Sequence, residues 1–284
     1  MSSSPSVPMW KDYRRASCLV ERREALLTEQ FALTRNSYST ENFVEQNFRR
    51  ADRTEEPIVH RDGYCHLVEN PTAELTALVK DLYELQTVAQ PMLVSNALGQ
   101  KVQSALDVLG HCKLTLSIVS TMVWSIVLVD SDSPDSDVSF SDPQVPFSIF
   151  VSVPPRGSDA ATLRLAESIL HESMHLYLTL IEQENSLVRL TSNSVMTFSP
   201  WRGCLRPLTG VLHGAFVFRA IHEFFTQLQT VELPPTERNH VCSRLLQINE
   251  DFRKLQLCTV RNALTVFGTR LVNEIVSIPT MRSW

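Results

Sequence analysis

No C-x-x-C pair occurs in this sequence, although it holds six cysteines: Cys18, Cys65, Cys112, Cys204, Cys242 and Cys258. That scatter excludes a zinc knuckle and a dithiol redox motif, and it reads as reduced thiols packed mostly in the interior. Only Cys204 falls near a suspected site. No run of Lys or Arg stands out, and the net charge is −5 with a pI near 5.9, which argues against a nucleic-acid partner. The most apolar stretch, Leu114 to Val129, is interrupted by serine and threonine and is short for a membrane span. The opening residues, Met1 to Asp12, lack the apolar segment of a secretory signal. No internal repeat is visible. The expectation is an intracellular, cytoplasmic protein with no membrane partner.

What the chain does have is apolar mass. It is 43% hydrophobic over 284 residues with eight glycines, enough for a substantial core in one large domain or two closely packed ones. It also has one sharp motif, His171-Glu172-Ser173-Met174-His175, set in a strongly helical run. Residues four apart on a helix stand one turn above each other. Both imidazoles can therefore face one metal ion with Glu172 beside them, the H-E-x-x-H arrangement.

Periodicity and punctuation predict an α+β fold, predominantly α-helical, with a small sheet beside the H-E-x-x-H helix. Residues 1–8 read as a disordered tail, 9–113 as an N-terminal helical region, 114–232 as the core holding the metal site and 233–284 as C-terminal helices, all in one compact unit. Helices are predicted from Lys11 to about Ala32, Thr72 to about Val88, Pro91 to about Leu109, and Leu114 to Met122. Arg35 to Asp62 reads as irregular. Val123 to Val129 and Phe147 to Val153 read as strands around an Asp/Ser/Pro-rich loop, Asp130 to Pro143. Ser158-Asp159 is expected to cap the motif helix, which runs to about Gln183. Glu184 to Leu205 reads as a polar connection, Arg206-Pro207 as the start of the next helix, and Thr236 to about Ile278 as helical with a break near Cys258 to Asn262. A strand leading into a metal-binding helix is the layout of zincin-like folds.

A mononuclear site needs a third protein ligand. The metzincin extension is absent, because Leu178 and Ile181 stand where Gly and His belong. Glu182 and Glu184 continue the same helix and lie too close to act as the distant Glu of a gluzincin. Asn185 to Leu208 contains no acidic residue. The next helix offers His213, on a face with Phe216, Val217, Ala220 and Phe224. His222 and Glu223 are the next candidates, His222 about half a turn out of phase.

The segment Ser199–Phe218, SPWRGCLRPLTGVLHGAFVF, following H-E-x-x-H, resembles the 2-oxoglutarate-dependent H-E-x-x-H-type peptide β-hydroxylases encoded with ribosomal peptide natural products. The likeness extends over about Val123 to Phe225, and Arg-Pro followed by Leu-His-Gly is its most specific part. It implies a non-haem iron oxygenase with His171, His175 and His213 as ligands, Fe(II) and 2-oxoglutarate as cofactors, and O₂ and a precursor peptide as partners. Glu172 then orients a water or a substrate group. In a zinc metallopeptidase, the alternative, Glu172 is the general base on a metal-bound water. A peptide-binding scaffold without turnover is a third reading.

A 2-oxoglutarate carboxylate calls for an arginine fork. Arg206, two turns before His213 if the helix extends that far, is the first choice. Arg202 is the second, with a peptide contact as its other role, and Arg219 lies off the face of His213. The loop's Asp130, Asp132, Asp135, Asp137 and Asp142 suit either a basic peptide or plain solvent.

Overall fold

The computed structural model describes residues 8, 11–33, 58–59, 65–69, 96–129, 131, 136–142, 147–155, 157–190 and 194–276. The expected tail before Pro8, the expected helix at Thr72 to Val88 and most of the Arg35 to Asp62 segment lie outside these residues. Helix outweighs strand, 66% to 12%, so the fold is α+β with helices predominant.

The chain forms α1 (Tyr13–Leu33), β1 (Ile58–Val59), β2 (Cys65–Glu69), α2 (Asn96–Leu109), α3 (Lys113–Met122), β3 (Ser125–Val129), β4 (Ser139–Phe140) and β5 (Ser148–Ser152). It continues with α4 (Ala161–Glu184), β6 (Met196–Ser199), β7 (Cys204–Pro207), α5 (Leu208–Leu228), α6 (Pro235–Lys254), a 3₁₀ turn (Leu257–Ala263) and α7 (Val266–Val276). The first sheet runs β1-β2-β3-β5-β4. β2, β3 and β5 are parallel; β1 and β4 run antiparallel at the two edges. β3 and β5 are buried along their whole length, as the continuous β-branched and apolar runs SIVLV and SIFVS require of central parallel strands.

α4 is the spine. It packs against α2, α3 and α5 on its helical sides and against β5 and β4 on its sheet side. Its apolar residues are buried nearly all round, including Leu163, Ile169, Leu170, Met174, Tyr177 and Ile181. Tyr177 donates its hydroxyl to the Asp12 carbonyl at 3.0 Å, which ties α4 to the residues that lead into α1.

Four local expectations change. Ser158 and Asp159 do not cap α4; Ala160 does, in the left-handed region at φ 50°, with its carbonyl accepting from the Arg164 amide. The Asp/Ser loop contains the edge strand β4, which Phe140 anchors by stacking on Phe150 at 4.4 Å. The polar connection contains the hairpin β6–β7, closed by Gly203 at φ 63°. It escaped the apolar pattern because its inward residues are Thr197 and Ser199. The N-terminal region is not purely helical: β1 and β2 join the core's sheet. The expected break in the C-terminal helices falls at the 3₁₀ turn, between Lys254 and Val266.

Candidate metal centre

His171 and His175 leave the same side of α4, one turn apart, with their Nε2 atoms 3.2 Å from each other. Two imidazole nitrogens, each about 2.0–2.1 Å from one ion, stand roughly 2.9–3.4 Å apart, so this pair fits a common first-row metal. α5 crosses this face and brings His213 against the pair. Its ring lies nearly parallel to His175 at 5.5 Å, with Nδ1 facing Nδ1 at 3.3 Å. His213 thus addresses the opposite edge of His175 from His171. Among the described residues no three His, Cys, Asp or Glu side chains focus their donors on one point. The three imidazoles are neighbours, and with His213 held by Glu182 a turn of the His175 ring is what a shared ion requires of them.

The chemistry of the donor set suits a metal. His171 is held down to about 4, first by burial and then by the nearby Arg202 and Arg244 charges. His175 is held down to about 2 by burial, its two histidine neighbours and Arg202. Both are neutral at ordinary pH, the state in which an imidazole carries a lone pair to give. The 27% of the His171 side chain that remains accessible faces a cleft.

Glu172 turns to the sheet. It is 3% exposed and accepts a hydroxyl proton at each oxygen, from Ser139 at 2.8 Å and from Ser141 at 2.9 Å. Residues two apart on an extended strand share a side, which is how β4 and its continuation deliver both hydroxyls. Oε1 of Glu172 is 4.0 Å from Nε2 of His171. Burial raises the carboxyl to about 7 against the lowering effect of the two serines.

The motif around His213 has a packing logic. A Cβ on Gly214 would come within 2.9 Å of the Trp201 ring, so glycine is what lets the indole lie on α5 beside the third histidine. Trp201 stacks on Phe218 at 5.0 Å, and Phe218 meets His171 edge-on at 5.6 Å. The hairpin thereby closes an aromatic wall over the site.

The cleft beside His171 has a volume of about 290 Å³. Phe218, Ser139 and His240 line it together with two arginine–carboxylate pairs. Arg164 grips both oxygens of Asp137 at 2.8 Å, and Arg244 grips both oxygens of Glu167, with Nε–Oε2 at 3.1 Å. Nε2 of His240 is buried with no hydrogen-bond partner among the described residues.

Of the residues expected from sequence, His171, Glu172, His175 and His213 come together here. Arg202 lies close enough to depress both histidines of α4, and it is exposed at the hairpin turn. The helix does not extend back to Arg206, which lies in β7 before α5 begins at Leu208; its guanidinium is 3.9 Å from where a Cβ on Gly210 would stand, and it does not line the cleft. His222 points elsewhere: it is buried against Arg219 and Thr226, and burial holds it down to about 4. Glu223 pairs with Lys11 and Arg219. Asp137 and Asp142 are the loop aspartates among the described residues, and Asp137 is engaged by Arg164. Cys204 is exposed on β7.

Two participants, Arg164 and Arg244, go unmarked in the sequence, and Glu182 stands there only as a residue too close to be a ligand. Arg164 and Glu182 lie seven residues before His171 and seven after His175, the spacing of two helical turns, so their place on the metal face was legible in principle. Arg244, on a distant helix, left no such signal. No protein-family model matches the chain, and no curated protein matches it.

Proposed function

We propose that this protein is an Fe(II)- and 2-oxoglutarate-dependent oxygenase that hydroxylates a side-chain β-carbon of a ribosomally made precursor peptide. The family resemblance of Ser199–Phe218 suggests the chemistry. The observation that carries it over the alternatives is the engagement of Glu172. A peptidase base takes a proton from a metal-bound water. Here each Glu172 oxygen spends one acceptor site on a serine hydroxyl of the sheet, which favours a role in pinning β4 to α4 over proton abstraction.

Iron with bound 2-oxoglutarate supplies the O₂-dependent hydrogen removal and hydroxyl transfer. The chain's own residues do the rest. His171 and His175, both neutral, would hold the metal together with His213. Glu172 pins β4 to α4 and so shapes the cleft beside His171. Trp201 and Phe218 exclude water from one side of the site. The carboxylate of 2-oxoglutarate would enter the cleft, where Arg202 and Arg244, the latter with its fork already on Glu167, supply positive potential beside His171. Among the described residues, no helix is long and apolar enough to cross a membrane. A cytoplasmic place and a peptide substrate belong to this same reading.

The rise of Glu172 to about 7 suits a general base and keeps a zinc metallopeptidase as the second reading. Anaerobic reconstitution with Fe(II) and 2-oxoglutarate separates them. The oxygenase gives a weak visible charge-transfer band, then succinate on admission of O₂ with a suitable peptide. Zinc-supported peptide cleavage that needs no 2-oxoglutarate favours the peptidase, and tight metal binding with neither activity favours a scaffold.

A further inference from the structure

His213 is held from behind. Its Nε2 lies 2.7 Å from Oε2 of Glu182, on the same helix that supplies the H-E-x-x-H pair. A carboxylate has only acceptors, so the imidazole nitrogen that meets it carries the proton. In a neutral imidazole the other nitrogen is then bare. That other nitrogen, Nδ1, is the one His213 turns toward His175. Glu182 is two helical turns beyond His175, so one rigid helix fixes both the first two imidazoles and the orientation of the third.

We propose that Glu182 is the positioning residue of this centre: it takes the Nε2 proton of His213 and so makes Nδ1 the donor atom that His213 offers a metal. The H-E-x-x-H pair present Nε2, and the third ligand presents the opposite nitrogen. This rests on the metal-centre reading above. Its physical content is the carboxylate–histidine–metal relay, in which the outer carboxylate fixes tautomer and ring angle and raises the basicity of the ligand. The side chain of Glu182 is 27% exposed and that of His213 is 20% exposed, so neither is needed to fill the core. Loss of the carboxylate therefore leaves the fold standing and acts on the imidazole.

The test reads His213 before any metal is added. Nitrogen-15 spectra of the histidine rings in chelator-treated wild type are expected to show His213 neutral and protonated at Nε2. Glu182→Ala is expected to give a mixture of tautomers and to weaken Zn(II) or Co(II) binding, measured against a competing chelator, by about 10- to 100-fold. Glu182→Gln keeps an acceptor oxygen at the same reach and is expected to restore the tautomer and most of the affinity. A His213 protonated at Nδ1 in wild type overturns the assignment. So does a doubly protonated ring at neutral pH, which makes the contact a plain ion pair. An unchanged tautomer and an affinity within twofold of wild type in Glu182→Ala overturn it too. Should wild type bind neither metal, the metal-centre reading fails, and with it the role assigned to Glu182, whatever tautomer is found. Wild-type binding with an unmoved Glu182→Ala fails the positioning role alone.

Discussion

Trp201 lies over Gly214 so closely that any side chain on residue 214 meets the indole before it meets solvent. The two belong to different elements, the β6–β7 turn and α5, and their contact sets where the hairpin sits relative to His213. Gly214→Ala is expected to destabilise the protein by about 1–3 kcal/mol, the range for overpacking a close contact, although alanine is the better helix former. Denaturant midpoints measure this. The double change Gly214→Ala with Trp201→Leu is expected to recover stability relative to Gly214→Ala alone; a further loss means that the ring is not what glycine accommodates.

His171→Ala, His175→Ala and His213→Ala are each expected to abolish stoichiometric metal binding. His222→Ala, which alters a buried contact to Arg219, is expected to lower thermal stability and leave the metal count unchanged. Metal analysis after dialysis reads both. Full metal content in His213→Ala moves the third ligand elsewhere.

Glu172→Gln keeps the size of the side chain, and the serine hydroxyls can bond an amide as well as a carboxylate. The variant is expected to retain metal and 2-oxoglutarate binding and to lose coupling between succinate formation and peptide hydroxylation. In a peptidase the same change removes the base and nearly all turnover. Peptide cleavage that falls by three orders of magnitude or more in Glu172→Gln, with the metal retained, decides for the second reading.

Acid is expected to destabilise the chelator-treated protein. His171, His175 and His222 are held to about 4, about 2 and about 4, against an ordinary 6.5. As pH falls from 6.5 the unfolded chain takes up these protons before the folded one does, so stability declines. Glu172 has the opposite sign. Held up to about 7, it keeps a proton in the folded state that the unfolded chain releases above about 4.5, so its contribution is lost as pH rises toward 7. Three imidazoles outweigh one carboxyl. Urea midpoints are expected to fall steadily between pH 6.5 and pH 5, and a flat profile contradicts the burial of these rings.

Arg244→Gln is expected to raise the 2-oxoglutarate concentration needed for half-saturation severalfold, since it removes positive charge beside His171 and leaves the Glu167 carboxylate unpaired in the cleft. Arg206→Ala, at a β7 residue that does not line the cleft, is expected to change it little, and Arg202→Ala to fall between. Titration of the visible charge-transfer band measures all three. A large effect confined to Arg206→Ala assigns the carboxylate to the start of α5 instead of the cleft.

The helical core was legible because its signals are local. H-E-x-x-H fixed two side chains on one face, and the apolar run from Leu163 to Ile181 made that helix a buried one. β3 and β5 declared themselves through β-branched residues. The edge elements did not, because their inward residues are hydroxylic: Ser139 and Ser141 reach Glu172 and not an apolar core, and Thr197 and Ser199 are the inner face of β6. Local pattern also failed across distance. Arg244 enters the cleft only because α6 packs back on α5, and nothing near Arg244 in the chain records that. Glu182 is hidden for a different reason: as a metal ligand it is too close to His175 on the same helix, whereas its contact is with the ligand's far nitrogen.

α4 carries Arg164 and Glu167 in the cleft, His171 and His175 at the centre and Glu182 behind the third imidazole. From first to last these span 19 residues, about 27 Å of continuous helix at 1.5 Å per step. The helix is a ruler that does not stretch. Any widening of the cleft therefore comes from what is hinged to it: the β4 segment latched by Ser139 and Ser141, the β6–β7 turn resting on Gly214, or α6 held by the Arg244–Glu167 pair. Inserting one residue between His175 and Glu182 rotates the acceptor by about 100° away from His213 while leaving both α4 histidines in place, so the length of this helix is fixed by the contact at its far end.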